Sequence, residues 1–176
     1  MPQRAIDLFF QIKNPSRICF IIFFNACAEL ATSESLTTGK EAISRLPQEY
    51  LESDDILCSL SNMFMKCNDL DNAESFFNQS KRNVKSYGAL MKLYQTRNEP
   101  EKILNLYEQM KKEEIQEDEV IYLLLMNACS SLGHISLSES IISQIPKSFL
   151  NNSRIQTASI DMWVSHVPNE KTIRMI

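Results

Sequence analysis

The chain has little glycine, three residues in 176, and only six prolines. Collagen-like and Gly/Pro-rich low-complexity architectures are excluded, and few residues remain for the frequent tight turns of a β-sandwich or barrel. Positive charge is not in excess either. Eighteen Lys and Arg against 22 Asp and Glu give a net charge of −4, which is not the basic footprint of a domain that binds nucleic acid by charge alone. The two histidines, His134 and His166, have no Cys or Asp at ligand spacing, so no metal site is expected. No Gly-rich phosphate loop and no nucleophile elbow occurs. No catalysis, cofactor or small-molecule substrate is therefore expected. The apolar run Ile18 to Phe24 (ICFIIFF) falls far short of the ~20 residues that span a bilayer, so no membrane partner is expected.

Five cysteines, Cys19, Cys27, Cys58, Cys67 and Cys129, show no C-x-x-C spacing. An odd count without a secretory signal points to reduced thiols. The N-terminal MPQRAIDLFFQIKN carries Asp7 and lacks the Arg and Ser richness of a transit peptide. No targeting peptide is recognisable, and an intracellular location, mitochondrial matrix or cytoplasm, is expected.

What the chain has is helical periodicity. In Val84 to Asp118, Tyr87, Leu90, Met91 and Tyr94 form one apolar stripe, and Ile103, Tyr107 and Met110 form a second, widened by Leu104 and Leu106. Thr96 to Pro100 interrupts them, and proline suits the first turn of a second helix, where its missing N–H costs nothing. Two such helices cannot bury their stripes on each other alone, so neighbours are required.

The sequence supplies them by repetition. PQEYLES from Pro47 matches PKSFLNN from Pro146, and Phe24 to Cys27 matches Met126 to Cys129. Leu60 to Phe64 matches Ser159 to Trp163, a period of about 100 residues. ICFIIFF could pass for a buried strand, but its stripe (Phe20, Phe23, Phe24, Cys27, Leu30) falls where Tyr122, Leu125, Met126, Cys129 and Leu132 fall, which favours a helix. Shorter matches mark second helices: RAIDLFFQIK from Arg4 with KILNLYEQMK from Lys102, and AESFFNQ from Ala73. The expected organisation is one array over 1–165, with repeats at 17–53, 54–83, 84–118 and 119–152, half repeats at 1–14 and 153–165, and a frayed tail at 166–176. Helices are expected near 2–13, 17–30, 36–46, 54–66, 70–79, 84–96, 99–112, 119–132, 135–145 and 152–165. Neither end shows a polar capping helix, so the chain reads as a window of a longer array.

These residues resemble the pentatricopeptide repeat family, most clearly in Arg82 to Met91 followed by Glu99 to Met110, with Met63 to Ala73 similar to the family's link between helices. Units of unequal length resemble the subclass that alternates standard, long and short repeats. The resemblance implies an all-α fold, a right-handed superhelical α-solenoid of helix-turn-helix hairpins of tetratricopeptide-like outline. It implies single-stranded RNA lying along the first helices, about one base per repeat. In the family the fifth and last residues of each unit choose the base, and an apolar residue near the start packs against it. The fifth positions here are Ile21, Cys58, Gly88, Leu123 and Thr157, and the last positions include Asn83, Asp118 and Asn152. Ile18 and Val120 keep the apolar packing position, whereas Asp55, Lys85 and Arg154 depart from it. Base-specific readout is therefore expected to be weak, and Lys85 and Lys92 are candidates for phosphate contact. Relatives of this subclass that carry a zinc deaminase domain need H-x-E and C-x-x-C, and neither motif occurs here.

Two other readings stand beside RNA binding: a scaffold that binds a protein partner in the same groove, and a segment whose only role is to continue a solenoid. Cys27 and Cys129 are expected in the core as small hydrophobes. A reactive Cys67 is conceivable near its helix end. Trp163, equivalent to Phe64, is expected in the core unless its partner helix is missing.

Overall fold

Helices form where the stripes are and stop where the backbone turns left-handed. The computed structural model describes residues 1–133 and 135–166; His134 and the tail from 167 onward lie outside them. Eleven α-helices and one 3-10 turn, with no strand, make up the described residues. They are α1 (Pro2–Gln11), α2 (Arg17–Leu30), α3 (Ser33–Ile43), η1 (Gln48–Glu52), α4 (Asp54–Lys66), α5 (Leu70–Gln79) and α6 (Val84–Thr96). There follow α7 (Pro100–Lys112), α8 (Glu119–Leu132), α9 (Ile135–Gln144), α10 (Lys147–Leu150) and α11 (Ser153–His166). The fold is an all-α helical repeat.

First helices α2, α4, α6 and α8 each end next to a left-handed residue: Ala31, Asn68, Asn98 and Gly133. After α4 the Asp69 N–H donates to the Phe64 carbonyl and the Asn68 N–H to the Met65 carbonyl; after α6 Glu99 and Asn98 repeat both bonds on Tyr94 and Gln95. This Schellman closure satisfies the last carbonyls and turns the chain sharply into the second helix. Second helices then start from caps. The Thr32 hydroxyl accepts from the Ser35 N–H and the Ser35 hydroxyl from the Thr32 N–H, which sets the start of α3 three residues earlier than periodicity predicts. Asp69 caps α5 and holds Lys40 of α3 at 2.6 Å. Burial pushes the Asp69 carboxyl up, but the Lys40 and Asn72 bonds outweigh it and leave the group below its ordinary range. Pro100 takes the first turn of α7, as its position predicts.

The described residues divide into two compact units, one over 1–93 and the other from Tyr94 onward, with the division inside α6. In the first, Phe9 of α1 stacks on Phe23 at 4.2 Å and meets Phe20 edge-on at 5.0 Å. Arg45 lies over the Phe9 and Phe10 rings and donates to the Ile12 carbonyl. Phe64 of α4 stacks on Phe76 of α5 at 5.5 Å, and Phe77 meets Tyr87 of α6 edge-on. α3 approaches α4 so closely that a Cβ on Gly39 would lie 2.5 Å from the Met63 sulfur. In the second unit α8 packs between α7 and α11. Tyr107 donates to the Gln144 side chain and Tyr122 to the Gln144 carbonyl, tying α7 and α8 to the end of α9.

Both units share a device that periodicity missed. The matched segments PQEYLES and PKSFLNN form the short helices η1 and α10, each capped by an extended proline, Pro47 or Pro146. Tyr50 of η1 packs on Phe20 at 6.2 Å, and Phe149 of α10 on Tyr122 at 6.0 Å. The same aromatic thus closes the same end of the stripe twice. Cys27 and Cys129 are buried in the core as expected, and burial, with Cys67 nearby, pushes the Cys27 thiol up to about 12. Phe64 is buried while Trp163 is exposed: among the described residues no helix packs on α11 as α5 packs on α4, the condition under which Trp163 is not expected in the core.

Leu90 is buried on the α6 stripe. Leu90→Ala is expected to lower stability by about 2–5 kcal/mol in urea denaturation, the range for a core truncation. Ala31 holds φ 51° and ψ 37° where Gly133 serves the equivalent turn. Ala31→Gly should stabilise by about 0.5–1.5 kcal/mol, relieving the Cβ clash of a left-handed residue; an unchanged melting midpoint would mean the turn carries no strain.

Candidate nucleic-acid interface

The last residue of each expected repeat starts the next helix. Ser53, Asn83, Asp118 and Asn152 immediately precede α4, α6, α8 and α11. The Asn83 Oδ1 accepts from the Lys85 and Ser86 N–H groups at 3.0 and 3.1 Å, and the Ser86 hydroxyl accepts from the Asn83 N–H. The Asp118 Oδ1 accepts from the Ile121 N–H at 3.0 Å, and the Asn152 Oδ1 from the Arg154 N–H at 2.9 Å. Four orphan donors at a helix start make such an acceptor valuable. Ser53 does otherwise: it makes no cap bond, and its hydroxyl accepts from Arg17, whose guanidinium also reaches Asp55 at 3.7 Å.

In the first unit the Asn83 cap borders an open groove of about 270 Å³ lined by Cys58, Ser61, Asn62, Met65, Ser80, Asn83, Lys85, Ser86 and Ala89. It brings together three residues singled out by sequence: Cys58, Asn83 and Lys85. Cys58 is half-buried, and its thiol faces the Lys81 carbonyl at 3.8 Å. Burial pushes that thiol up, the Ser80 hydroxyl opposes, and the Asp54 and Asp55 carboxylates push it further up. It stays a neutral thiol at physiological pH and a weak donor. Lys85 is exposed, with its ammonium in no ion pair among the described residues. Asn62 and Ser86 were missed as lining residues. Asn62 stands four residues after Cys58 and so shares its helix face; Ser86 is three residues from Asn83, at capping spacing.

The other predicted residues are more dispersed. Gly88 is buried in α6 and offers no side chain, while Lys92 is exposed further along that helix. Gly88 and Asp118 fall in different units. In the second unit Asp118 and Asn152 are half-buried at their caps, and Thr157 is exposed with its hydroxyl donating to the Ser153 carbonyl. Arg154, at the packing position, pairs with Glu119 at 3.9 Å. Ile18 and Val120, the apolar packing residues, are 63% and 46% exposed at the starts of α2 and α8. Cys67 is half-buried, with its thiol pushed up chiefly by burial, so the environment gives it no thiolate character. No cluster of three or more His, Cys, Asp or Glu that could hold a metal occurs among the described residues, and no helix there is long and apolar enough to cross a membrane.

The family model for the PPR repeat matches residues 85–115, from the first turn of α6 through the turn after α7. A chloroplastic pentatricopeptide repeat-containing protein of Arabidopsis thaliana is 28% identical over 169 residues, covering 92% of this chain and 28% of its own length. A second from the same plant is 26% identical over 168 residues, covering 91% of this chain and 20% of its own length. A mitochondrial one is 27% identical over 168 residues, covering 92% and 27%. Over nine-tenths of its length the chain is similar to pentatricopeptide repeat-containing proteins, and one match to the PPR repeat model lies within it. The chain spans between a fifth and a little over a quarter of the length of these curated relatives. The matched segment begins just after the Asn83 cap and continues through both stripes read from the sequence.

Asn83→Ala removes the acceptor for two N–H groups and is expected to cost about 1 kcal/mol in chemical denaturation, whereas Asn83→Asp keeps the cap. Equal stability of the two variants would show that the cap bonds contribute nothing.

Proposed function

We propose that this segment binds single-stranded RNA along the faces of its first helices, about one base per repeat, and acts by occupancy in RNA processing or modification. The observation that carries the reading is the groove between Cys58, Asn83 and Lys85. It joins the fifth and last residues of one unit with the packing position of the next, the three positions the family uses for one base. Exposed Ile18 and Val120 support it, as apolar side chains free to lie against a base. The array is read as repeats 17–53, 54–83, 84–118 and 119–152 with half repeats at either side. Readout is weak on this reading. Cys58 is a poor donor, Gly88 is buried, and Leu123 is a half-buried hydrocarbon, so little besides the Asn83 amide nitrogen and the second Asp118 oxygen is left to address a base edge. We assign the segment no catalytic step. An organelle matrix, chloroplast or mitochondrion as in the names of the relatives, is the proposed location.

A protein-binding scaffold is the second reading, favoured by the net charge of −4 and by the buried Gly88. Binding of a labelled randomised RNA pool at two salt concentrations separates the two. Lys85→Ala should weaken all sequences alike and flatten the log–log salt slope by ~0.7, the share of one phosphate contact on a single strand. Cys58→Asn should sharpen preference at one base, because an amide beside Asn83 adds both a donor and an acceptor. Absence of salt-dependent binding in every variant would leave the scaffold reading.

A further inference from the structure

Most polar atoms that line the groove beside Asn83 are already engaged within the chain. The Ser61 hydroxyl donates to the Ala73 carbonyl at 3.4 Å, the Ser80 hydroxyl to the Phe77 carbonyl at 3.1 Å and the Ser86 hydroxyl to the Asn83 carbonyl at 2.9 Å. Two backbone N–H groups hold the Asn83 Oδ1, which fixes that carboxamide and leaves its NH2 as the end still able to bond a ligand. Asn62 differs. It is half-buried on the groove wall, and its carboxamide makes no hydrogen bond among the described residues. It lies in the middle of α4, where it caps nothing and where alanine would favour the helix more. The same place, the ninth residue of the helix, is polar and exposed in Asn25 of α2, Lys92 of α6, Asn127 of α8 and Asp161 of α11. Asn62 alone among these five is half-buried, and it lies in the groove that also holds Cys58, Asn83 and Lys85.

We propose that Asn62, one turn beyond Cys58, reads a pyrimidine in this groove together with the Asn83 NH2. The inference rests on the RNA reading above and moves its base contact from Cys58 to Asn62. A carboxamide offers one donor and one acceptor side by side, so it can pair with two adjacent edge atoms of any base. These are N3–H and O4 of uracil, N4–H and N3 of cytosine, N6–H and N1 of adenine, or N1–H and O6 of guanine. The third atom of the edge decides. In both pyrimidines it is the O2 carbonyl, which accepts from the Asn83 NH2. In adenine it is a C–H, which leaves that NH2 unpaired, and in guanine it is an amino group, which sets donor against donor. Lys85 stays available for a phosphate and takes no part in the choice.

The full chain is selected against a randomised single-stranded RNA pool as wild type, Asn62→Ala and Cys58→Ala, and the bound sequences are read. Wild type should enrich pyrimidines over purines at one position by about fivefold or more, the discrimination of one good base contact. Asn62→Ala should lose that enrichment and keep the salt dependence of total binding. Its melting midpoint should not fall, since the side chain removed bonds nothing in the chain. Cys58→Ala should keep the enrichment. Even base use at every position overturns the inference and leaves RNA binding standing. So do enrichment of purines, a pyrimidine preference that survives Asn62→Ala, one that Cys58→Ala abolishes, and one whose loss comes with a lowered midpoint. A wild type with no salt-dependent binding of the pool overturns the inference and the RNA reading together.

Discussion

An amphipathic hairpin has more apolar surface than its two helices can hide on each other, and the structure follows from that excess. α4 gives one edge of its stripe to α5 through Phe64 and Phe76, and another face to α2. α8 in the same way contacts α7, α9 and α11. Burial in each unit is thus built from neighbour contacts, and stability approximates a sum of such steps. The excess also sets the turn chemistry. A chain that must reverse after every 13 or 14 residues needs a left-handed residue at the same place each time, and Ala31, Asn68, Asn98 and Gly133 supply it.

Much of this was legible in the sequence because it is repeated. The strand-like ICFIIFF became readable as a helix only through its match to the stripe of α8, and the structure places it in α2. The short helices η1 and α10 were visible as matching heptapeptides but not as helices, since five and four residues are too few to show a period. The start of α3 was misplaced because a capping box is a contest between hydroxyls, and Thr32 with Ser35 wins it upstream of the first apolar residue. For the candidate interface, the capping residues could be read from type and spacing. The burial of Gly88 and the inclusion of Asn62 could not, because each depends on which helix lies alongside. Trp163 was read by analogy with Phe64, and the two differ in exposure because no described helix lies on α11 as α5 lies on α4.

Charge plays a local part. The Lys40–Asp69 pair is short and anchors α3 to the start of α5, whereas Arg17–Asp55 and Arg154–Glu119 are longer contacts between exposed or half-exposed groups. The latter are worth little energetically but hold the packing-position residues of two repeats, Asp55 and Arg154, against a neighbouring opposite charge. Asp55 and Arg154 are thereby occupied, whereas Lys85 makes no ion pair among the described residues.

Asn83, Asp118 and Asn152 each serve a helix start with one side-chain oxygen, and Asn83 also lines a groove. Sequence drift at these positions is therefore filtered by folding before any ligand is met. An aliphatic or bulky residue there frays the following helix, so only small polar side chains survive. The alphabet open to such a surface is set by what can begin a helix, and retuning one position changes recognition and thermal tolerance together.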